Sequence, residues 1–397
     1  VYNFGQDDSF AGNKTSGTAG ASDSNGLGEF YYSVPSGYNS LCASNLTDPN
    51  IGPNSATQAG DHFNTVLYAG SGNTSQSITG VGFQPDFLWL KNRNQSGGYP
   101  HLLRDSVRGV TKSLRSNATD AEQTRNQISS FDADGFTFAA GHGNSLDNDS
   151  SGSYVAWNWK AGTSVSGTTS GSGTGQSYTG SVNTKAGFSI IAYTGNGTAG
   201  HTIPHHLGVA PKMVISKKRS STGSWGTYHS GLTSASYYIL LNDSAAQASN
   251  TVYFNGAAPT DTVVTRGTGA DGNANGVTYI QYSFAEIDGY SRITSYVGNA
   301  STNGTFCHLG HRPAWLLVKN ASASGAWYLF DVKRNTYNAM DKYLRPNLTN
   351  AEGTLDFCDF TSNGFKIRSS AAEWNGSGNT IIVLSFAEQP FKYANAR

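Results

Sequence analysis

Two groups of side chains in this sequence have the residue types for catalysis or metal binding. Glu286 and Glu388 each end a Ser-Phe-Ala-Glu tetrad, and a pair of carboxylates can hydrolyse a glycosidic bond. The tetrad is duplicated within a longer repeat, which favours a structural role for both residues. The cluster Cys307-His308-x-x-His311 has zinc-binding residue types, but a structural zinc site needs four ligands. We therefore assign no catalytic residue and no metal ligand, and we predict a protein that is not an enzyme.

Two acidic turns resemble the start of a calcium-binding loop. They are Asp132-x-Asp134-Gly135 and Asp147-Asn148-Asp149. Neither is followed by the later ligands and the closing glutamate that a calcium loop requires. We predict no cofactor, with a surface calcium ion as the open alternative.

Three aromatic residues have the spacing of a binding surface. Tyr99, Trp225 and Trp327 each stand eight residues after a lysine, and Trp225 follows a run of Ser, Thr and Gly. Aromatic side chains on loops can stack on sugar rings or pack against a neighbouring subunit. We mark the three as candidate contacts to a glycan or a subunit, with packing over their own sheet edge as the alternative.

Two acid–base pairs occupy matching places in the chain. Asp105 precedes Arg108 by three residues, and Asp331 precedes Arg334 by three. Because opposite charges at this spacing can meet across a turn, we predict two structural ion pairs that fix a loop.

These residues belong to a repeated unit of about 100 residues. Each copy contains (Val/Leu)-Gly-x-x-Pro, then an apolar run, then a lysine six residues after the proline: Lys91, Lys217 and Lys319. The repeats span 62–162, 187–294 and 295–397, called repeats 1, 2 and 3 below. The segment 163–186 between the first two is rich in Ser, Gly and Thr, which is typical of a flexible linker. Residues 1–61 are a different element, interpreted as the C-terminal remnant of another β domain.

The composition indicates strands joined by tight turns. Charged residues make up 13% of the chain, against a usual value of about 25%. The sequence has 48 Gly, 21 Tyr and 19 Phe but only 2 Met, and aromatic residues favour strands. We predict an all-β fold with three tandem antiparallel β-sandwich domains and an N-terminal β remnant. Thr119-x-x-Glu122 and Thr349-x-x-Glu352 match the helix capping box, which predicts one short helical turn at each.

The charge balance excludes some partners. There are 26 basic and 26 acidic residues, without the basic run that a nucleic-acid surface needs. No apolar stretch approaches the roughly 20 residues of a membrane-spanning helix. A net charge of zero leaves little repulsion between copies, so we expect the chain to associate with copies of itself.

Several of these motifs together resemble a known group of proteins. Val-Gly-Phe-Gln-Pro-Asp-Phe-Leu-Trp-Leu-Lys-Asn-Arg at 81–93, Ser-Phe-Asp-Ala-Asp-Gly-Phe at 130–136 and Tyr-Val-Ala-Trp-Asn-Trp-Lys at 154–160 are similar to a domain of tailed-phage virion structural proteins, associated with the tail or fibre. The opening, Tyr-Asn-Phe-Gly-Gln at 2–6 with Pro-Ser-Gly-Tyr at 35–38, resembles the end of a lectin-like or SPRY-like β-sandwich. The resemblance implies a virion or extracellular location.

The leading prediction is a non-enzymatic virion structural protein: a tail, fibre or surface-decoration component. Its partners would be copies of itself and other virion proteins, with host-surface glycans as a further candidate partner. A secreted or cell-surface carbohydrate-binding adhesin is the alternative. A polysaccharide depolymerase is the third.

Overall fold

A computed structural model of the chain describes residues 7–15, 21–45, 51–52, 56–142 and 145–388. The chain divides into two compact units, consisting mainly of residues 1–49 and 50–391. In the described part of the first unit, Ala21 and Phe30 form an isolated β-bridge, and a 3-10 helix covers Ala43–Asn45. The motif predicted at 2–6 lies outside the described residues.

The second unit is all-β and contains the three repeats. A 3-10 helix at Ala59–Asp61 precedes the first strand. Repeat 1 has nine strands: β1 Phe63–Ala69, β2 Gln76–Ile78, β3 Phe87–Asn92, β4 Leu102–Asp105, β5 Lys112–Arg115, β6 Gln123–Thr124, β7 Ile128–Asp132, β8 Gly135–Phe138 and β9 Ser153–Trp159. Three strands then follow: β10 Thr163–Thr168, β11 Ser170–Gly171 and β12 Ser177–Asn183.

Repeats 2 and 3 each have eight strands, with a short helix before the last strand. Repeat 2 comprises β13 Phe188–Thr194, β14 His201–Pro204, β15 Met213–Lys218, β16 Trp225–His229, β17 Tyr237–Leu240, β18 Ala248–Ser249, β19 Val263–Arg266, α1 Ala270–Asn273 and β20 Thr278–Phe284. Repeat 3 comprises β21 Ser291–Val297, β22 Phe306–His308, β23 Pro313–Asn320, β24 Trp327–Asp331, β25 Met340–Tyr343, β26 Gly353–Thr361, β27 Gly364–Ile367, α2 Ala372–Asn375 and β28 Thr380–Ala387.

Each repeat is a sandwich of two antiparallel sheets. One sheet of each sandwich is called the larger sheet below, although both sheets of repeat 3 have four strands. The larger sheets have the orders β1-β9-β3-β4-β5-β6, β10-β12-β13-β20-β15-β16-β17-β18 and β21-β28-β23-β24. The smaller sheets have the orders β2-β8-β7, β11-β14-β19 and β22-β27-β26-β25. Each sandwich encloses its own apolar core; in repeat 1, for example, Leu88 and Leu102 pack against Phe136. The fold class predicted from the sequence is therefore confirmed.

The other face of each larger sheet is also buried, because the three repeats share one central core. All residues of β3 are buried, on both faces of the sheet. Alternate side chains of the larger sheets meet in a single cluster that includes residues of all three repeats, among them Trp89, Trp157, Ile215, Tyr282, Trp315 and Phe386. The sandwiches are therefore three parts of one body, with a common core that none of them could complete alone.

Two local expectations from the sequence were wrong. The segment 163–186 was expected to be a flexible linker, but β10 pairs with β12 and β12 pairs with β13. Its Ser and Thr side chains suit exposed strand positions, and pairing satisfies its backbone groups. The helical turns expected at Thr119 and Thr349 are absent, since both stretches are irregular. The described residues contain no helix with the length and hydropathy to cross a membrane.

Candidate functional site

The candidate site lies at the junctions between repeats, where polar groups of neighbouring repeats meet. One backbone hydrogen bond occurs at all three junctions, in equivalent places. It joins Glu122 N–H to Arg219 O at the 1/2 junction (2.8 Å), Glu352 N–H to Arg93 O at the 1/3 junction (2.7 Å) and Gln247 N–H to Ala321 O at the 2/3 junction (2.9 Å). The repeats therefore contact one another in a cyclic order.

The 1/2 junction contains a buried ionic network. Arg108 Nε donates to Asp105 Oδ2 at 2.5 Å, and Arg108 Nη1 lies 3.2 Å from Glu122 Oε2. Arg219 of repeat 2 completes the network, with Nε 2.9 Å from the same oxygen of Glu122. Tyr282 of repeat 2 donates its hydroxyl to Asp105 Oδ2 at 2.7 Å. The predicted pair Asp105–Arg108 is thus present, and it joins two repeats as well as fixing a loop.

The 1/3 junction repeats this network with other residues. Arg334 Nε donates to Asp331 Oδ2 at 2.5 Å, and Arg334 Nη1 lies 3.1 Å from Glu352 Oε2. Arg93 of repeat 1 donates to Glu352 through Nε at 3.0 Å and Nη2 at 2.9 Å. The indole of Trp157 donates to Asp331 Oδ2 at 3.0 Å, in the place that Tyr282 has at the 1/2 junction. The second predicted pair, Asp331–Arg334, is therefore also present.

Both networks hold charge away from water. The side chains of Asp105, Arg108, Asp331 and Arg334 are 0% exposed. A buried charge is tolerated only when it is paired and hydrogen-bonded. Burial opposes ionisation of Glu122 and Glu352, but hydrogen bonds and charges from the arginines outweigh it and lower the pKa of both. The networks therefore lock each repeat onto its neighbour with directional, charge-assisted bonds.

The 2/3 junction has no counterpart of this network. Strand register places His229 where the other repeats have aspartate, and Leu232 follows where they have arginine. The N–H of Gly231 donates to His229 Nδ1 at 2.9 Å, so Nε2 carries the proton and donates to Val383 O of repeat 3 at 3.1 Å. Burial lowers the pKa of His229 to about 4, which keeps the ring neutral.

The repeated lysine is buried in all three repeats, and at two junctions it donates to the neighbouring repeat. Nζ of Lys91, Lys217 and Lys319 donates to the carbonyl of the following residue, at 2.8, 2.8 and 2.6 Å. Lys91 also reaches Thr349 O of repeat 3 at 3.3 Å, and Lys217 reaches Thr119 O of repeat 1 at 3.1 Å. Burial lowers the pKa of each of the three lysines to about 8.

Trp225 and Trp327, expected on exposed loops, lie in strands β16 and β24, opposite Lys217 and Lys319. Their exposed fractions are 0% and 1%, so neither ring can stack on a glycan outside the molecule. Trp225 Nε1 donates to Arg115 O of repeat 1 at 2.9 Å, and Trp327 Nε1 to Leu240 O of repeat 2 at 2.9 Å. Both tryptophans therefore bind a neighbouring repeat of the same chain.

Tyr99 is not the structural counterpart of these tryptophans. In repeat 1, Leu90 pairs with Leu102, so His101 stands opposite Lys91. The connection is two residues longer than in the other repeats, and counting eight residues from the lysine reaches Tyr99 instead. His101 is buried and accepts a hydrogen bond from Trp89 Nε1 at 3.0 Å. Tyr99 is half-buried in the connection, and its hydroxyl donates to Asp149 Oδ2 at 3.1 Å.

The other chemical candidates from the sequence have structural partners. Glu286 pairs with Lys212 and lies 3.4 Å from Arg292 Nε. Glu388 lies 2.7 Å from Arg312 Nε. The Cys307 thiol is buried, which raises its pKa to about 12. His311 is buried 3.0 Å from Ser385 Oγ.

The two acidic turns that resemble the start of a calcium loop also have partners within the protein. Asp134 accepts from the N–H groups of Gly80 and Gly82, and Asp147 lies 2.8 Å from Arg104 Nη2 in a buried pair. Among the described residues, one group of three possible metal ligands occurs, in the first unit: Asp7, Asp8 and Glu29, with oxygens within 4.8 Å of one another. Since calcium takes six to eight oxygens, these three side chains do not make a site by themselves.

The sequence contained a signal for the junction networks that we read incorrectly. Glu122 and Glu352 match between repeats 1 and 3, and we assigned them to helix caps. Their partners across the junction, Arg219 and Arg93, match each other as well. Without the cyclic arrangement, nothing in the sequence links a residue of one repeat to its partner in the next.

Fold and junctions together define an all-β protein in which three fused sandwiches are locked around one core. The sequence profile of a family described as "Domain of unknown function (DUF7483)" matches residues 58–390. The chain belongs to this family. The match runs without a break through all three repeats, in agreement with their shared core. No curated protein and no solved structure matches the chain.

Proposed function

We propose that the chain is a non-enzymatic structural component of a virion or another extracellular assembly. The observation that supports this most is the use of its buried charges. The two four-residue ionic networks join repeats to one another. Such networks make a rigid scaffold whose orientation is fixed, which suits a part that must hold its shape inside a larger assembly.

The protein composition of purified virions, or of the extracellular assembly that contains the chain, tests this role. A chain that builds a particle is expected at a fixed copy number in intact particles, and stripping mild enough to remove adsorbed proteins should leave it in place. Mass spectrometry with absolute quantification measures that number. Loss of the chain during washing at high salt would contradict the proposal, and so would turnover of a polysaccharide by the purified chain.

A carbohydrate-binding role is the second candidate, and one observation favours it. Tyr337 lies in the connection between β24 and β25, with 83% of its surface exposed. Exposed tyrosine rings on connections can stack on sugar rings. If the chain binds glycans, Tyr337 and Tyr99 replace the buried tryptophans as the aromatic contacts. A glycan array probed with the Tyr337→Ala chain and the unchanged chain tests this.

A further inference from the structure

The three repeats differ in what covers one equivalent sheet edge. The edge strands are β1, β13 and β21, which share a tyrosine at matching positions: Tyr68, Tyr193 and Tyr296. In repeat 2, β12 pairs along the outer edge of β13, with Tyr178 opposite Tyr193. Among the described residues, no strand pairs with the outer edge of β1 or β21. The same edge is therefore covered in one repeat and open in two.

The register of β1 shows which of its backbone groups point outward. Gly70 N–H donates to Gly152 O at 2.9 Å, and Lys160 N–H donates to His62 O at 2.9 Å. Hydrogen-bonded pairs alternate along an antiparallel ladder, so the even-numbered residues of β1 bind β9. The N–H and C=O of Leu67 therefore point away from the sheet. The Leu67 side chain is 42% exposed, which is unusual for a strand leucine.

A cleft of about 210 Å³ continues this edge toward the interior. Thr65 of β1 lines one side, and Val332 and Lys333 of repeat 3 line the other. At the corresponding place of the 1/2 junction, Ser106 and Val107 of repeat 1 line a cleft of about 460 Å³ together with β10 and β12 of the chain itself. Strands β10 and β12 thus line the cleft at the 1/2 junction, whereas no described strand pairs with the outer edge of β1 at the 1/3 junction.

The edge of β21 is better protected than that of β1. Glu286 Oε1 accepts from Ile293 N–H at 2.9 Å, and Thr305 donates to Val297 O at 2.6 Å. The carboxylate of Glu286 is held in turn by Lys212 and Arg292. Charged side chains on an edge discourage strand addition.

The caps on β1 are neutral. The amide of Asn64 accepts from Thr65 N–H at 2.9 Å, and the amide of Gln76 donates to Ala69 O at 2.9 Å. Neutral hydrogen bonds at an exposed edge are weaker than charge-assisted ones, so an incoming strand displaces them at lower cost. Of the two open edges, that of β1 is the better acceptor.

We propose that the outer edge of β1 binds an extended segment of a second protein chain, in the antiparallel orientation that β12 has on β13. The residue opposite Leu67 would correspond to Thr179, which faces Ala192 on β13. The bound segment is therefore a strand of small and hydroxyl side chains, recognised through its backbone. This inference deepens the proposed assembly role, since it names the kind of partner: a subunit that donates a strand.

The test uses the full chain and a fluorescent heptapeptide, Ser-Tyr-Thr-Gly-Ser-Val-Asn, with the sequence of β12. We expect saturable binding by fluorescence anisotropy. Leu67→Pro removes the outward N–H without touching a hydrogen bond to β9, and it should weaken binding at least tenfold. Ser295→Pro makes the same change at the equivalent position of β21 and should leave binding unchanged. A peptide methylated on the backbone nitrogens that face β1 should not bind, and this arm does not depend on the folding of a variant.

Three results would overturn the proposal. The first is that the peptide shows no saturable binding, and the second is that both proline variants weaken binding equally. The third is slow hydrogen exchange at Leu67 and Ala69 in the free chain, because it would mean that the edge is already covered. Each leaves the structural role standing, because particle composition tests that role separately.

Discussion

The ionic 1/2 and 1/3 junctions and the neutral 2/3 junction solve the same packing problem in different ways. All three have the same backbone hydrogen bond and a buried lysine. Only two have the network of aspartate, two arginines and glutamate. At the third, equivalent positions hold four residues without a buried charge pair: His229, Leu232, Gln247 and Ala321. The residues at one junction therefore change as a set.

Chain connectivity offers a physical reason for the difference. Repeats 2 and 3 follow one another directly, with β20 ending at Phe284 and β21 beginning at Ser291. Repeats 1 and 3 are not consecutive, so their junction must close the ring without a covalent tether nearby. Loop-closure entropy opposes such closure, and oriented ionic bonds supply specificity for it. The comparison teaches that the junction with the shortest connection is the one without the network, since 163–186 separates repeats 1 and 2 and the whole of repeat 2 separates repeats 1 and 3.

The largest effect is expected from removing one member of a buried network. Asp105→Ala leaves the Arg108 guanidinium buried without its main partner, which costs about 3–5 kcal/mol. Urea denaturation at pH 7 measures this. The double variant Asp105→His with Arg108→Leu copies two of the four 2/3-junction residues and removes the buried charge pair. Since Glu122 keeps Arg219 as its partner, the double variant should cost less than the single change.

The control for that comparison is an exposed ion pair in the same repeat. Asp120 lies 3.3 Å from Arg115, with 45% of the Asp120 side chain exposed. Asp120→Ala should change stability by less than about 0.5 kcal/mol. A loss of stability as large as that of Asp105→Ala would show that burial is not what separates the two sites.

Acid should destabilise the neutral junction through His229. The pKa of His229 is about 4 in the folded chain and about 6.5 when unfolded. The unfolded chain therefore binds the proton first, and stability from this residue, present above pH 6.5, is lost as the pH falls from 6.5 to 4. The loss is about 3 kcal/mol.

His229→Gln provides the matched comparison for the acid effect. Its amide can accept from Gly231 and donate to Val383 but does not titrate. Burial also lowers the pKa of His62 to about 4 and that of His311 to about 3, so both chains lose stability in acid. The variant should lose about 3 kcal/mol less between pH 7 and pH 4. Parallel stability curves for the two proteins would refute the role of His229.

A smaller effect is expected at the rim of the 1/3 junction. Arg93→Ala gives this position the residue that the 2/3 junction has at Ala321. The side chains of Arg93 and Glu352 are 19% and 14% exposed, so the pair is partly screened and the cost is about 1 kcal/mol. The cost should shrink in 1 M NaCl. Arg368→Ala, at an ion pair with 46% of the arginine side chain exposed, should have almost no effect in either salt.

The sequence was sufficient to predict elements whose signal is local. Strand alternation, turn residues and the internal repeat gave the all-β sandwiches, and a three-residue spacing gave Asp105–Arg108. It was insufficient wherever a partner comes from another repeat. The continuous apolar run Phe-Leu-Trp-Leu at 87–90 is the sequence signal for a sheet covered on both faces, because a sandwich strand with one solvated face alternates, and all six residues of β3 are buried.

The errors have the same origin. Trp225 and Trp327 were placed on loops because they follow Ser- and Gly-rich stretches. A tryptophan that donates to a carbonyl of the next repeat has no local signature that distinguishes it from an exposed one. Tyr99 was grouped with them by counting along the chain, whereas the pairing of β3 with β4 shows that the equivalent residue is His101.

The smallest effect on stability is expected at an exposed aromatic residue, in contrast to the large effect expected at a buried one. Tyr337→Ala removes a ring that is 83% exposed and should change the free energy of unfolding by less than about 0.5 kcal/mol. Trp327→Ala, which empties a buried site and frees Leu240 O at the 2/3 junction, should cost about 3–5 kcal/mol. If glycans bind, Tyr337→Ala should weaken binding while the melting temperature stays the same, and Trp327→Ala should weaken it only by unfolding the chain. If Trp327→Ala stays folded but no longer binds glycans, the tryptophans would be the glycan contacts. Glycan binding would then require the 2/3 junction to open.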